Sequence, residues 1–176
     1  MNIFMDRMLR AAKLDVNLYE EVEANKDTMR QAMGVVILSS LAAGVGSIGT
    51  LGLGGMLLGT LAALVGWYIW AWLTYFIGTK FLAEPQTEAD LGQLLRTTGF
   101  SSSPGLIRVL GVIPGLGAIV VAVASIWMLV AMVIAVRQAL DYTSTLRAVG
   151  VCVIGWIIQT IILLLLFSLL GGPPSP

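Results

Sequence analysis

The sequence predicts an all-α fold, a polytopic bundle of transmembrane helices, and two observations carry that prediction. The chain is 57% hydrophobic and only 11% charged, whereas soluble domains carry about 25% charged residues. Its charged side chains fall in three blocks that leave uncharged runs of 49, 28 and 29 residues at 31–79, 109–136 and 148–176. Because about 20 apolar residues cross the hydrocarbon core as a helix, the first run holds two spans and each of the others holds one.

A fifth span is predicted in the stretch between the first two runs. The predicted spans are about 32–49, 55–79, 99–113, 118–136 and 146–170. The third is short and broken, since Pro104, Arg108 and Pro114 interrupt it, and Pro104 to Ile113 gives only about 15 Å of helix. It must therefore begin near Gly99 or earlier to cross. Five spans with a cytoplasmic N-terminus place all ten Lys and Arg on the cytoplasmic side, as the positive-inside rule requires. The C-terminus is then extracytoplasmic.

The N-terminal segment, 1–30, is expected to be cytoplasmic and to begin with an amphipathic helix. Its apolar and basic residues separate onto two faces, Phe4, Met8 and Ala12 against Arg7, Arg10 and Lys13. A basic face suits an anionic leaflet, but the helix fits equally well against the protein's own cytoplasmic loops. Residues 31–170 form the membrane domain, and the tail 171–176 is expected to be disordered.

Arg108 is the one charge predicted inside a span, and two interpretations stay open. Helical side chains point toward their own N-terminus, so Arg108 can snorkel back to the cytoplasmic interface. Alternatively it is buried and binds a lipid phosphate or orders the bundle. Trp67, Trp70 and Trp72 near the end of the second span allow a similar pair of interpretations, an interfacial aromatic belt or a wall for a lipid tail.

Small residues in the second span are predicted to pack helices closely. Gly55 with Gly59 and Ala62 with Gly66 have the small-xxx-small spacing of membrane helix contacts. The polar residues within the spans are expected to hydrogen-bond helix to helix: Ser39, Ser40, Thr74, Ser125, Gln159 and Thr160.

The sequence lacks the residues that several kinds of catalytic and metal site require. The chain has no histidine and a single cysteine, Cys152, which argues against most zinc, copper and iron–sulfur sites and against His-based catalysis. No Asp or Glu lies within a predicted span, and neither a Walker lysine nor a Gly-x-Ser-x-Gly elbow occurs. We therefore expect no enzyme, no cofactor and no metal. The net charge of zero favours no nucleic-acid partner.

The stretch Gly99-Phe100-Ser101-Ser102-Ser103-Pro104 resembles the Gly-Tyr-Ser-x-x-Pro signature of Yip family membrane proteins, with Phe100 replacing the tyrosine. Four further stretches are similar to the bacterial branch of the family: LYEEVEANKDTMRQA, GWYIWAWLTYFIGTK, IPGLG and AVRQALDYTSTLRA. The resemblance therefore covers about Leu14 to Leu166. It implies a five-span bundle with a cytoplasmic N-terminus, here in a bacterial inner membrane. Eukaryotic relatives contact prenylated Rab GTPases, but only Asp15, Leu18 and Tyr19 of their Asp-Leu-Tyr-Gly-Pro motif occur here, so that partnership is not carried over.

Together these features predict a non-enzymatic inner-membrane protein that acts as a scaffold or accessory subunit and organises partners or lipids. The alternative is a small carrier or channel for a lipid or neutral solute that uses the broken third span and Arg108. The expected partners are membrane lipids and a protein in the membrane or a second copy of the chain. The residues expected to contact a partner or lipid are Gly99, Phe100, Ser101, Pro104, Arg108, Trp67, Trp70 and Trp72.

Overall fold

The computed structural model describes residues 2–169, with the side chains of 48–51, 163 and 166–169 excepted. The predicted tail 171–176 and the last residue of the predicted fifth span lie outside the described residues. The described part contains helices and no strand, which confirms the all-α prediction. The α-helices are α1 (Ile3–Ala12), α2 (Val16–Ala24), α3 (Met29–Gly46), α4 (Ile48–Lys80), α5 (Leu91–Phe100), α6 (Gly117–Ala139) and α7 (Thr145–Leu169).

Among the described residues, four helical stretches are long and apolar enough to cross a membrane: Lys26–Gly46, Gly52–Lys80, Gly117–Ala139 and Thr145–Ile162. They coincide with four predicted spans, and the helix of the first span, α3, begins at Met29. The glycine-rich turn is shorter than predicted, because α4 begins at Ile48. Gly52 has φ 63 and ψ −177 inside α4, a conformation that glycine adopts readily, so the helix kinks there.

The predicted third span, 99–113, is a composite of the end of α5 and a 3-10 helix at Ser103–Val112. The α-helix stops because Pro104 has no N–H to donate and its ring blocks the preceding turn. A 3-10 helix rises about 2.0 Å per residue, so its ten residues reach further than the α-helix assumed from the sequence. The composite runs alongside α3, with Gly99 against Ala32 and Gly111 against Gly46.

Helices α1 and α2 pack on the bundle rather than standing apart from it. Met8 and Ala11 of α1 are buried, and Trp127 in the middle of α6 donates a 2.7 Å hydrogen bond from Nε1 to the Ala12 carbonyl. The predicted placement on the protein's cytoplasmic loops is therefore corrected: α1 packs against helices of the bundle, with Ala12 beside the middle of α6. Glu21 of α2 joins the two helices to each other, because it binds Arg7 and Arg10 of α1 at 2.8 and 2.6 Å.

The segments 81–90 and 140–144 meet at one end of the bundle, called here the loop end. Glu84 accepts hydrogen bonds from the backbone N–H and the hydroxyl of Thr143 at 3.0 and 2.8 Å. Arg147 lies 3.5 Å from Glu84, and Tyr142 donates to the Gly78 carbonyl at 2.9 Å. These donors, led by the Thr143 N–H, lower the pKa of Glu84 to about 2. Together these contacts hold the connection after α4 against the connection after α6.

Candidate functional site

The central feature of the bundle is a cavity of about 320 Å³, called here the Arg108 cavity. Six helical segments and Ser102 build it. Its lining residues are Val36, Ser39, Ser40, Ala63, Gly66, Trp67, Trp70, Thr98, Ser102, Arg108, Met128, Met132 and Gln159. The lining is thus mostly apolar but includes several hydroxyl-bearing side chains, one carboxamide and one guanidinium.

A second, smaller cavity of about 220 Å³ lies beside it, between α3 and α4. Arg108, Ser40 and Ala63 line both cavities. The smaller cavity is bounded on the α4 side by Gly55 and Gly59. Since no atom lies within 4 Å of a Cβ built on Gly59 or Gly66, the glycines leave free space along this side of α4.

Arg108 is held inside the bundle by uncharged partners. Its Nη2 donates to the Ser39 hydroxyl at 2.8 Å and to the Ser39 carbonyl at 3.2 Å, and its Nε donates to the Gly105 carbonyl at 3.1 Å. The side chain points back along the chain, as predicted, but the guanidinium ends at Ser39, about 15 Å of helix beyond Met29. In the described residues no carboxylate lies within 4.0 Å of it. Arg108 is half-buried, and its bonds favour an arginine that orders the bundle over a snorkelling one.

Three residues that line the Arg108 cavity have a polar side-chain group with no hydrogen-bond partner in the described part of the chain. The groups are Nη1 of Arg108, the hydroxyl of Ser102 and the carboxamide of Gln159. Polar groups removed from water cost free energy unless they are hydrogen-bonded. The cavity is therefore suited to a ligand or solvent that accepts hydrogen bonds from several directions.

The three predicted tryptophans have different environments. Trp67 donates to the Leu95 carbonyl at 3.1 Å and to the Thr98 hydroxyl at 3.2 Å, and Trp70 donates to the Met132 sulfur at 3.2 Å. Both line the Arg108 cavity. Trp72 is 46% exposed and stacks on Phe76 with ring centroids 5.5 Å apart. Only Trp67 and Trp70 can contact an occupant of the cavity.

The signature residues Gly99, Phe100, Ser101 and Pro104 are buried and none of them lines a cavity. A Cβ on Gly99 would lie 2.8 Å from the Cβ of Ala32, so glycine allows α5 to approach α3. Phe100 is fully buried in a core cluster with residues of α1, α2, α3 and α6. Ser101 donates to the Thr98 carbonyl at 2.7 Å. These residues fix the position of the 3-10 helix, and with it Arg108, rather than contacting a ligand themselves.

The small-residue stripe of α4, defined as Gly55, Gly59, Ala62 and Gly66, does not pack tightly within the chain. Gly59 and Ala62 are exposed, and Gly55 and Gly66 are half-buried. The tight glycine contacts lie elsewhere: Gly46 is against Arg108 and Gly111, and Gly78 is against Leu140. Gly55 and Gly59 border the smaller cavity and Gly66 borders the Arg108 cavity, so the stripe has free space beside it.

Sequence reasoning identified several cavity residues but assigned them a different role. Ser39 does bond another element, as predicted, but the expectation of helix-to-helix bonds is wrong for Ser40, Thr74, Ser125 and Thr160, whose hydroxyls bond carbonyls of their own helices. Thr98, Ser102, Met128 and Met132 were not predicted as site residues. Their only sequence signal is periodicity within apolar helices, which does not say which face borders a cavity. No group of three or more His, Cys, Asp and Glu that could hold a metal occurs among the residues searched.

The chain matches the Yip1 domain over residues 19–167. No curated protein and no solved structure gives a match. The matched range includes the 3-10 helix, helices α3 to α6 and every residue that lines the two cavities. Together with its apolar helices, this match shows that the chain is a multi-pass membrane protein and belongs to the Yip1 domain family.

Proposed function

We propose that the protein is a non-enzymatic scaffold or accessory subunit that binds a partner helix in the membrane. The observation that carries the proposal is the open small-residue stripe of α4. Small residues let helix backbones approach closely, and dispersion and weak hydrogen bonds then stabilise the contact. A partner can be a different protein or a second copy of this chain.

The proposal includes a topology in which the composite of α5 and the 3-10 helix makes a fifth crossing. Its two parts rise about 15 and 20 Å, together enough for a hydrocarbon core of about 30 Å. The contacts of Glu84 hold the connection after α4 and the connection after α6 at the same end of the bundle, the loop end. The chain between the end of α4 and the end of α6 therefore crosses the membrane an even number of times. The composite and α6 supply these two crossings. With that end in the cytoplasm of a bacterial cell, the Lys and Arg at the loop end, Lys80, Arg137 and Arg147, lie on the cytoplasmic side and the C-terminus is outside.

The stripe is tested by gentle extraction with native lipids followed by native mass spectrometry. Ala62→Leu places a bulky side chain on the stripe without touching either cavity, since Ala62 is exposed and lines neither. Ala122→Leu, at an exposed alanine of α6, is the matched control. We expect a stoichiometric partner or second copy with the wild type and Ala122→Leu, and its loss with Ala62→Leu. A wild-type protein that runs as a lone monomer with no partner or specific lipid would refute the scaffold.

A second candidate is a carrier for a lipid or other small amphiphile, and the Arg108 cavity favours it. The experiment is flux into proteoliposomes with wild type and Arg108→Ala. Flux that requires Arg108 supports a carrier. Flux equal to that of empty vesicles for lipids and neutral solutes excludes one.

A further inference from the structure

We propose that the Arg108 cavity binds the phosphate group of an anionic phospholipid. The inference concerns equilibrium binding and holds whether or not the lipid is moved across the membrane. Its basis is the coincidence, in one intramembrane cavity, of an arginine with no carboxylate partner and two further polar groups with no partner.

The positive charge of Arg108 indicates that the ligand is negatively charged. A guanidinium removed from water is costly unless an opposite charge or several acceptors compensate it. Ser39 and the Gly105 carbonyl accept hydrogen bonds from Nη2 and Nε, and Nη1 has no partner in the described residues. Its N–H groups can donate charge-assisted hydrogen bonds to phosphate oxygens.

The other unpartnered groups extend the same site. Gln159 lies about 21 Å of helix from Thr145, and its carboxamide can donate to a third phosphate oxygen or to a glycerol oxygen. The Ser102 hydroxyl can donate from the side of the 3-10 helix. Both line the Arg108 cavity, and in the described residues neither side chain bonds to the protein.

The shape and polarity of the cavities indicate a lipid rather than a free ion. Val36, Ala63, Met128 and Met132 give the Arg108 cavity an apolar wall, which a hydrated inorganic phosphate would not occupy favourably. Its volume of about 320 Å³ is at the small end of ligand sites, so it holds a headgroup and not a whole phospholipid. The smaller cavity continues from Arg108 to the glycines of α4, and acyl chains can reach the bilayer by that route.

Native mass spectrometry of the delipidated full chain, titrated with a phosphatidylglycerol or with diacylglycerol of the same chains, tests the site. We expect one bound phosphatidylglycerol at affinity about tenfold or more above that of diacylglycerol, because only the former carries the phosphate. Arg108→Gln should remove this preference, and Gln159→Leu should reduce it. Arg30→Gln, at an exposed arginine, should leave it unchanged.

Three results would overturn the proposal. Equal affinity for the two lipids would show that the apolar wall alone binds. An undiminished preference in both Arg108→Gln and Gln159→Leu would place the phosphate elsewhere. Displacement of the lipid by inorganic phosphate at equal concentration would identify the free ion as the ligand. If Arg108→Gln does not fold, as judged by its thermal unfolding, Arg108→Lys and Gln159→Leu replace it. Arg108→Lys keeps the charge but loses the guanidinium N–H groups that bond Ser39 and Gly105 and would bond the phosphate. It should weaken the preference, and an undiminished preference in both variants would overturn the proposal.

Discussion

The indole Nε1 of Trp127 donates a 2.7 Å hydrogen bond to the backbone carbonyl of Ala12. Trp127 lies about 15 Å of helix from the start of α6 and about as far from its end. The C-terminal end of α1 is therefore fixed beside the middle of an apolar helix. The N-terminal segment is thus part of the packed bundle rather than a separate tether.

Trp127→Phe should loosen α1, because it keeps the ring but removes the donor. We expect a loss of about 1 kcal/mol in the free energy of unfolding and faster trypsin cleavage at Lys13. Trp156→Phe is the matched control, since Trp156 is 69% exposed and its ring nitrogen has no partner in the described residues. Equal cleavage rates in the two variants would contradict the role of this hydrogen bond.

The outward face of α1 should contact acyl chains. Ile3, Met5 and Leu9 are 61%, 51% and 45% exposed, whereas Arg7 and Arg10 are paired with Glu21. An environment-sensitive fluorophore on Leu9→Cys, in a Cys152→Ala background, should be quenched by brominated lipids. The same label on Lys26→Cys, at an exposed position, should be quenched by aqueous iodide. Iodide quenching at both positions would place α1 in water.

Gly99 should tolerate no larger residue. A Cβ there would lie 2.8 Å from the Ala32 Cβ and 3.1 Å from the Ala32 carbonyl oxygen, so Gly99→Ala forces α5 away from α3 at a cost of about 1–3 kcal/mol. Gly54→Ala has nothing within 4 Å of the added atom and should gain up to about 1 kcal/mol from helix propensity. Thermal unfolding of both variants in one detergent measures the contrast. A neutral Gly99→Ala would mean that the two helices are less tightly packed than described.

Glu84 should make stability depend on pH in the acid range. Its pKa falls from 4.5 to about 2 in the folded protein, chiefly because of hydrogen bonds from Thr143. The stabilisation is therefore complete above pH 4.5 and is lost as the pH falls through about 2. The midpoint of thermal unfolding of Glu84→Gln should lie below that of the wild type near neutral pH and approach it at pH 2. Glu88→Gln, at an exposed position, should follow the wild type throughout.

Glu23 should produce the opposite trend at higher pH. Burial, with the charge of Asp141 as a smaller cause, raises the pKa of Glu23 from 4.5 to about 7. A carboxyl group with a raised pKa stabilises the fold below its unfolded pKa, and this contribution is lost as the pH rises through about 7. Glu23→Gln should therefore flatten the decline in unfolding midpoint between pH 4.5 and 8. An identical decline in the variant would assign it to another group.

The lengths of the apolar runs predicted four of the five spans, because a helix needs about 20 apolar residues to cross a bilayer. The broken segment was recognised from Pro104 and Arg108, but its geometry was not, since a sequence does not show that ten residues after a proline take the longer rise of a 3-10 helix. The candidate site was only partly predictable. Arg108, Trp67 and Trp70 were singled out, but Gln159 was grouped with residues that bond between helices.

The sequence alone determined the fold class, the family and the presence of one charge within the membrane domain, because these depend on composition, run length and motif order. Tertiary structure decided which side of each helix faces which neighbour. It placed Arg108 against Ser39 instead of an interface, and brought Gln159 from α7 to the same cavity. It also left the small-residue stripe of α4 open. Apolar helices are hydrophobic on all sides, so periodicity cannot identify their buried faces, and only packing can.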